Sequence, residues 1–168
     1  MAASRAHPAS RPLALVTGAS SGIGEALTHC FARAGHDLVL VARSVDRLQA
    51  LAAKLKAQYQ VSALVMPADL ASLEAAQRLA RSLKRRKKIP DVLVNCAGVL
   101  EQGPFVHMRA ANHQAMIDLN ISALTAMLSH LLPIMVARGS GRVLNVASIA
   151  AFQPVPALAT YAASKAYV

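Results

Sequence analysis

Five short runs in this chain are apolar almost throughout: PLALVTG (12–18), DLVLVAR (37–43), VSALVM (61–66), DVLVNCAG (91–98) and GRVLNVAS (141–148). A strand with one face in water alternates apolar and polar residues, so runs without that alternation belong to strands covered on both faces. Stretches of helical spacing separate them. Strand–helix alternation of this kind, with right-handed crossovers, gives an α/β fold, a doubly wound parallel sheet. Ligands of such sheets bind at the carboxyl ends of the strands.

The helices are read from period and punctuation. GEALTHCFARAG (24–35) has helical spacing through Ala26, Leu27, Cys30, Phe31 and Ala34 and stops at Gly35. SVDRLQALAAKLKAQY (44–59) is amphipathic, with Ser44 as its N-cap. A third helix runs through about residue 84, a long one from about Asn112 to Arg138, and a last one starts near Thr160. ISALTAMLSHLLPIMVA (121–137) carries Ser, Thr, His and Pro and is short for a membrane span, so it reads as a buried or subunit-facing helix.

The strand ends carry the chemistry. TGASSGIG (17–24) joins the first strand to the first helix. Gly18, Gly22 and Gly24 let the backbone turn, approach a pyrophosphate and pack helix on strand, and the helix start offers free N–H groups to the anion. No Gly-Lys-Ser/Thr follows, which disfavours a triphosphate P-loop. Arg43 ends the second strand where an acid would select the ribose 2′-hydroxyl of NAD; a cation there suits the 2′-phosphate of NADP. NADP is therefore expected over NAD. Tyr161 and Lys165 lie four apart, on one face of a helix. An ammonium about 4 Å from a phenol, at an effective dielectric of ~20, favours the phenolate by roughly 4 kcal/mol. Such a pair suits proton transfer to a carbonyl receiving hydride.

In order and spacing, the segment from Leu13 to Val168 resembles the short-chain dehydrogenase/reductase family, whose fold is Rossmann-like. TGASSGIG is similar to its cofactor loop, which here brings Gly18, Ser20, Ser21, Gly22, Ile23 and Gly24. ADL is similar to its adenine-contacting turn, implying Asp69 near the adenine amine and Leu70 beside the ring. NCAG is similar to its Asn-Asn-Ala-Gly segment under the cofactor ribose, implying Asn95, Ala97 and Gly98 at the cofactor, with Cys96 replacing the second Asn. DLN, NVAS and YAASK present Asn120, Ser148, Tyr161 and Lys165, which by that likeness form the catalytic set. The resemblance implies Tyr161 as acid/base, Lys165 also bonding the nicotinamide ribose, Ser148 holding the substrate oxygen, and Asn120 anchoring a proton-relaying water. The implied activity interconverts a carbonyl and a secondary alcohol with NADP(H). Family members continue for about another half-domain, so residues 13–168 read as an incomplete domain, lacking its C-terminal strands and leaving the fifth strand on an edge.

Charge and composition bound the alternatives. The formal charge is +10, with six cations in RSLKRRKK (81–88) and two in residues 1–12. The basic run reads as the solvated C-terminal turn of a helix, where cations suit the dipole. It lacks the interleaved aromatics of a base-stacking surface, so nucleic acid and membrane are not the expected partners. Residues 1–12 read as a flexible leader, a mitochondrial presequence being the alternative; the expected compartment is the cytoplasm. Cys30 and Cys96 are expected to be buried thiols, and neither they nor the six histidines show metal-ligand spacing, so no metal is expected. The expected partners are a small carbonyl or alcohol substrate and a second copy paired through the 112–138 helix. Two other functions compete: a silent fragment that at most binds dinucleotide, and an interaction module acting through the basic run.

Overall fold

The computed structural model describes residues 11–72 and 74–168; positions 1–10 of the expected leader lie outside the described residues. Five parallel strands form one sheet in the order β3-β2-β1-β4-β5. They are β1 (Leu13–Thr17), β2 (Asp37–Val41), β3 (Ala63–Val65), β4 (Val92–Asn95) and β5 (Arg142–Asn145). Helices α1 (Gly22–Arg33), α2 (Val45–Tyr59) and α3 (Ala75–Arg85) connect the first four. A continuous helical stretch of α4 (Ala110–Ile117), a π turn (Asp118–Ala123) and α5 (Leu124–Ala137) precedes β5, and α6 (Ala159–Tyr167) follows it. The doubly wound arrangement expected from the apolar runs is the one observed.

Successive side chains on a strand point to opposite faces, and the two cores follow that period. Leu13, Leu15, Val39, Val41 and Leu93 meet α3 and α5 through Leu79, Leu83, Met127, Leu131 and Met135. Ala14, Val16, Leu38, Leu40, Val92 and Val94 meet α1 and α2 through Ala32, Leu48, Leu51 and Leu55. Register brings the carboxyl ends level: Thr17 pairs with Val41, Val16 with Val94, and Asn95 with Asn145.

Several local expectations change. Cys30 is exposed and Cys96 only half-buried. The buried face of α1 is Gly24, Thr28 and Ala32, which turns Ala26, Cys30 and Ala34 to water. The long helix starts at Ala110 rather than near Asn112, and its π turn was not anticipated. From Ala110 to Ala137 it has 28 residues and is long and apolar enough to cross a membrane. One face nevertheless sits in the core through Met116, Ala123, Met127, Leu131 and Met135. The basic run ends α3 as read: Lys84 and Arg85 are in its last turn, and Lys84 through Lys88 are exposed. As expected, β5 is an edge strand, and all four of its residues are exposed.

Candidate active site

A groove of about 460 Å³ runs across the carboxyl ends of β1, β2 and β4. One wall is the glycine-rich turn. Gly18 has φ +68°, and a side chain there would meet Ala97 backbone atoms at 3.0 Å. A side chain on Gly24 would stand 2.2 Å from the Gly18 carbonyl oxygen, so only glycine lets α1 begin this close to β1. Ser20, Ser21, Ile23 and Gly24 line the groove beside the start of α1, whose first N–H groups lack partners within the helix. Gly22 opens the helix with φ +56°.

Thr17, which sequence reasoning left without a role, joins this turn to the next. Its hydroxyl donates to the Val94 carbonyl (3.3 Å) and accepts from the N–H groups of Cys96 and Ala97 (3.0 Å each). The available signal was its place as the first residue of TGASSGIG. A second residue missed in the sequence is Arg47. It lines the groove with Arg43 and Ser44, from the first turn of α2. At the far wall Asp69 and Leu70 follow β3, and Asp69 Oδ1 accepts from Ala71 N (3.2 Å). Ala97 and Gly98 also line the groove. Asn95 does not: it is 5% exposed and its Nδ2 donates to Asn145 Oδ1 (2.9 Å), a rung between the ends of β4 and β5.

Tyr161 and Lys165 enter the groove from α6. Lys165 Nζ lies 5.9 Å from the Tyr161 ring centroid, within cation–π reach, and donates to the Val146 carbonyl (2.8 Å). The lysine is 7% exposed. Burial lowers its pKa, an effect that neighbouring Cys96 opposes. Burial likewise raises the Cys96 thiol, against the pull of Lys165. Gly98 leaves space where these groups converge: a side chain there would meet Asn120 Oδ1 at 3.2 Å and Lys165 Nζ at 3.5 Å.

Asn120 sits in the π turn, and its side-chain amide makes three hydrogen bonds to protein. Its Oδ1 accepts from Val99 N (2.9 Å), and its Nδ2 donates to the Val99 carbonyl (2.9 Å) and to Ser164 Oγ (3.0 Å). A π turn is a frequent device at functional sites; here it carries this clamp. Ser148 follows β5 and caps a short 3₁₀ turn (Ile149–Ala151), its Oγ accepting from Ala150 N (3.2 Å). Helix α6 packs against that turn, so the serine and the tyrosine–lysine pair lie on the same end of the sheet.

A sequence profile for the family described as short chain dehydrogenase matches residues 12–168. The chain belongs to that family. Among solved structures, a short-chain dehydrogenase from Sphingobium yanoikuyae in complex with NADPH superposes with a TM-score of 0.88 at 39% identity, covering 94% of this chain and 61% of that one. L-sorbose reductase from Gluconobacter frateurii, complexed with NADPH and L-sorbose, gives a TM-score of 0.88 at 36% identity, covering 94% and 60%. Hydroxysteroid dehydrogenase-like protein 1 of Gallus gallus is 35% identical over 158 residues, which is 92% of this chain and 47% of the relative. The chain thus spans roughly half to two thirds of the length of these proteins.

Helix α6 (Ala159–Tyr167) is tied by its side chains to other elements. Besides the Lys165 bond to Val146, three side-chain bonds hold it. Thr160 Oγ1 is 2.7 Å from His113 Nδ1, Ser164 Oγ takes the Asn120 bond, and Tyr167 Oη is 2.7 Å from Thr125 Oγ1. These anchors recur at helical spacing on one stripe, while Tyr161 and Lys165 occupy another.

Proposed function

We propose that this chain is the cofactor-binding and proton-transfer part of an NADP(H)-dependent oxidoreductase that interconverts a carbonyl compound and a secondary alcohol. One observation carries the reading: the buried, carbonyl-bonded ammonium of Lys165 stands beside the Tyr161 ring in the groove that begins at the glycine turn. Bare glycines at 18 and 24 let the start of α1 and its unpartnered N–H groups sit against the strand ends, where a pyrophosphate would lie, and the groove-lining cations Arg43 and Arg47 suit a 2′-phosphate. When bound, NADPH supplies the hydride. The Tyr161 hydroxyl then donates its proton to the developing alkoxide, and the Lys165 charge stabilises the phenolate left behind. Ser148 holds the carbonyl oxygen, and Asn120 keeps the Val99 loop and α6 in fixed relation. The NADPH found in the Sphingobium and Gluconobacter structures supports the cofactor choice. The free thiols of Cys30 and Cys96 suit a reducing, cytoplasmic setting.

The test is NADPH titration and NADPH oxidation with a panel of aldehydes and ketones, with and without Tyr161→Phe. Binding with turnover that the substitution abolishes supports the reading; turnover unchanged by it rejects the tyrosine's role. A second reading, dinucleotide binding without turnover, is the other outcome this experiment distinguishes. Binding without turnover would select it.

A further inference from the structure

The first turn of α6 is fastened by a group that the proposed chemistry does not use. His113, in α4, places Nδ1 2.7 Å from Thr160 Oγ1. Its other ring nitrogen, Nε2, is buried with no partner among the described residues. The imidazole lies against Phe105, with centroids 4.4 Å apart and planes inclined by 33°. A buried nitrogen without a partner costs free energy that a hydrocarbon side chain of the same size would not incur. What the imidazole returns is one directed bond, and that bond goes to the residue before Tyr161.

Tyr161 is the third residue of α6, within its first turn, whose N–H groups have no partners inside the helix. The other anchors come later, at Ser164 and Tyr167, and Lys165 has its own bond to Val146. His113 is also set in a braced corner. Glu101 bonds Asn112, Arg109 bonds Asn112 Oδ1 (3.3 Å), and Gly103 N donates to the Ala157 carbonyl (3.0 Å). We propose that His113 is a positioning residue: acting through Thr160, it fixes the start of α6 and thereby the place of the Tyr161 phenol in the groove. The functional weight of this rests on the reading of Tyr161 as proton donor, but its physical content does not.

The test uses the chain labelled with ¹³C at the tyrosine ζ carbon. It has three tyrosines, so Tyr161→Phe assigns the signal. His113→Phe keeps the stacking and removes the bond; Thr160→Val removes the partner at constant shape; His113→Asn returns a polar atom near the Nδ1 position. The expected result is a displaced Tyr161 signal in His113→Phe and Thr160→Val, no further change in the double variant, and recovery in His113→Asn. With benzaldehyde and acetophenone as probes, kcat should fall about three- to tenfold, the size of one net hydrogen bond, while NADPH affinity stays constant. An unmoved Tyr161 signal in both single variants, or additive displacement in the double one, overturns the proposal. So does NADPH affinity falling in step with kcat, which would mark general loosening. If the unmodified chain reduces neither probe, the activity reading loses support, and the Tyr161 signal still decides the positioning claim.

Discussion

The two ends of the groove are built by different means. At the glycine turn every side chain of β1 is buried, α1 starts against the strand through bare glycines, and Thr17 ties backbone to backbone. At the α6 end the strand beneath is exposed, and the helix is held through its side chains: Thr160, Ser164 and Tyr167 on His113, Asn120 and Thr125, and Lys165 on the Val146 carbonyl. Main-chain architecture tolerates substitution wherever a Cβ fits, whereas a side-chain lattice is only as good as its individual bonds. Cofactor binding should therefore outlast damage that stops proton transfer.

The sharpest probe of that contrast is Tyr161→Phe, expected to cut turnover by about 10²–10⁴-fold while NADPH affinity holds; a parallel loss of affinity would show that the two ends are not separable. Leu93→Ala, in central β4, should destabilise by about 2–5 kcal/mol, and Val143→Ala, in β5, by less than about 1 kcal/mol, as urea unfolding would measure. Equal losses would mean that β5 is covered in solution. Gly24→Ala places a methyl 2.2 Å from a main-chain oxygen, so α1 must shift, at about 1–3 kcal/mol and with loss of NADPH binding by fluorescence titration.

The smallest expected effect is the pH dependence set by the Lys165–Cys96 neighbours. Burial holds the lysine below its ordinary 10.5. Between that lowered value and 10.5 the folded chain carries fewer protons than the unfolded one, so stability rises with pH. The raised Cys96 thiol acts oppositely: above 9.0 the folded chain keeps a proton that the unfolded chain releases, and stability falls through that window. Lys165→Met should flatten the rise and Cys96→Ala should steepen it, read from urea midpoints up to pH 10.5. Superimposable profiles would contradict burial as the cause.

The same contrast explains what could be read from the letters. The five apolar strands, the glycine turn and the Tyr161–Lys165 spacing are local patterns, each written within a few residues, and they emerge intact. The α6 anchors join residues more than 40 positions apart, as with His113 and Thr160, and no period or spacing encodes them. The role of Thr17 is not legible in the letters, because its task is to receive two N–H groups from a different strand's end. Cys30 was misplaced because α1 carries apolar residues on more than one side, so composition did not say which side faces the sheet.

The helical stretch from Ala110 to Ala137 works at both of its ends. Its α5 arm packs Met127 and Leu131 into the sheet core, and its α4 arm carries His113 to Thr160. The rod that covers the sheet is thus also the one that moors the tyrosine helix, so a shift along its axis would reach both.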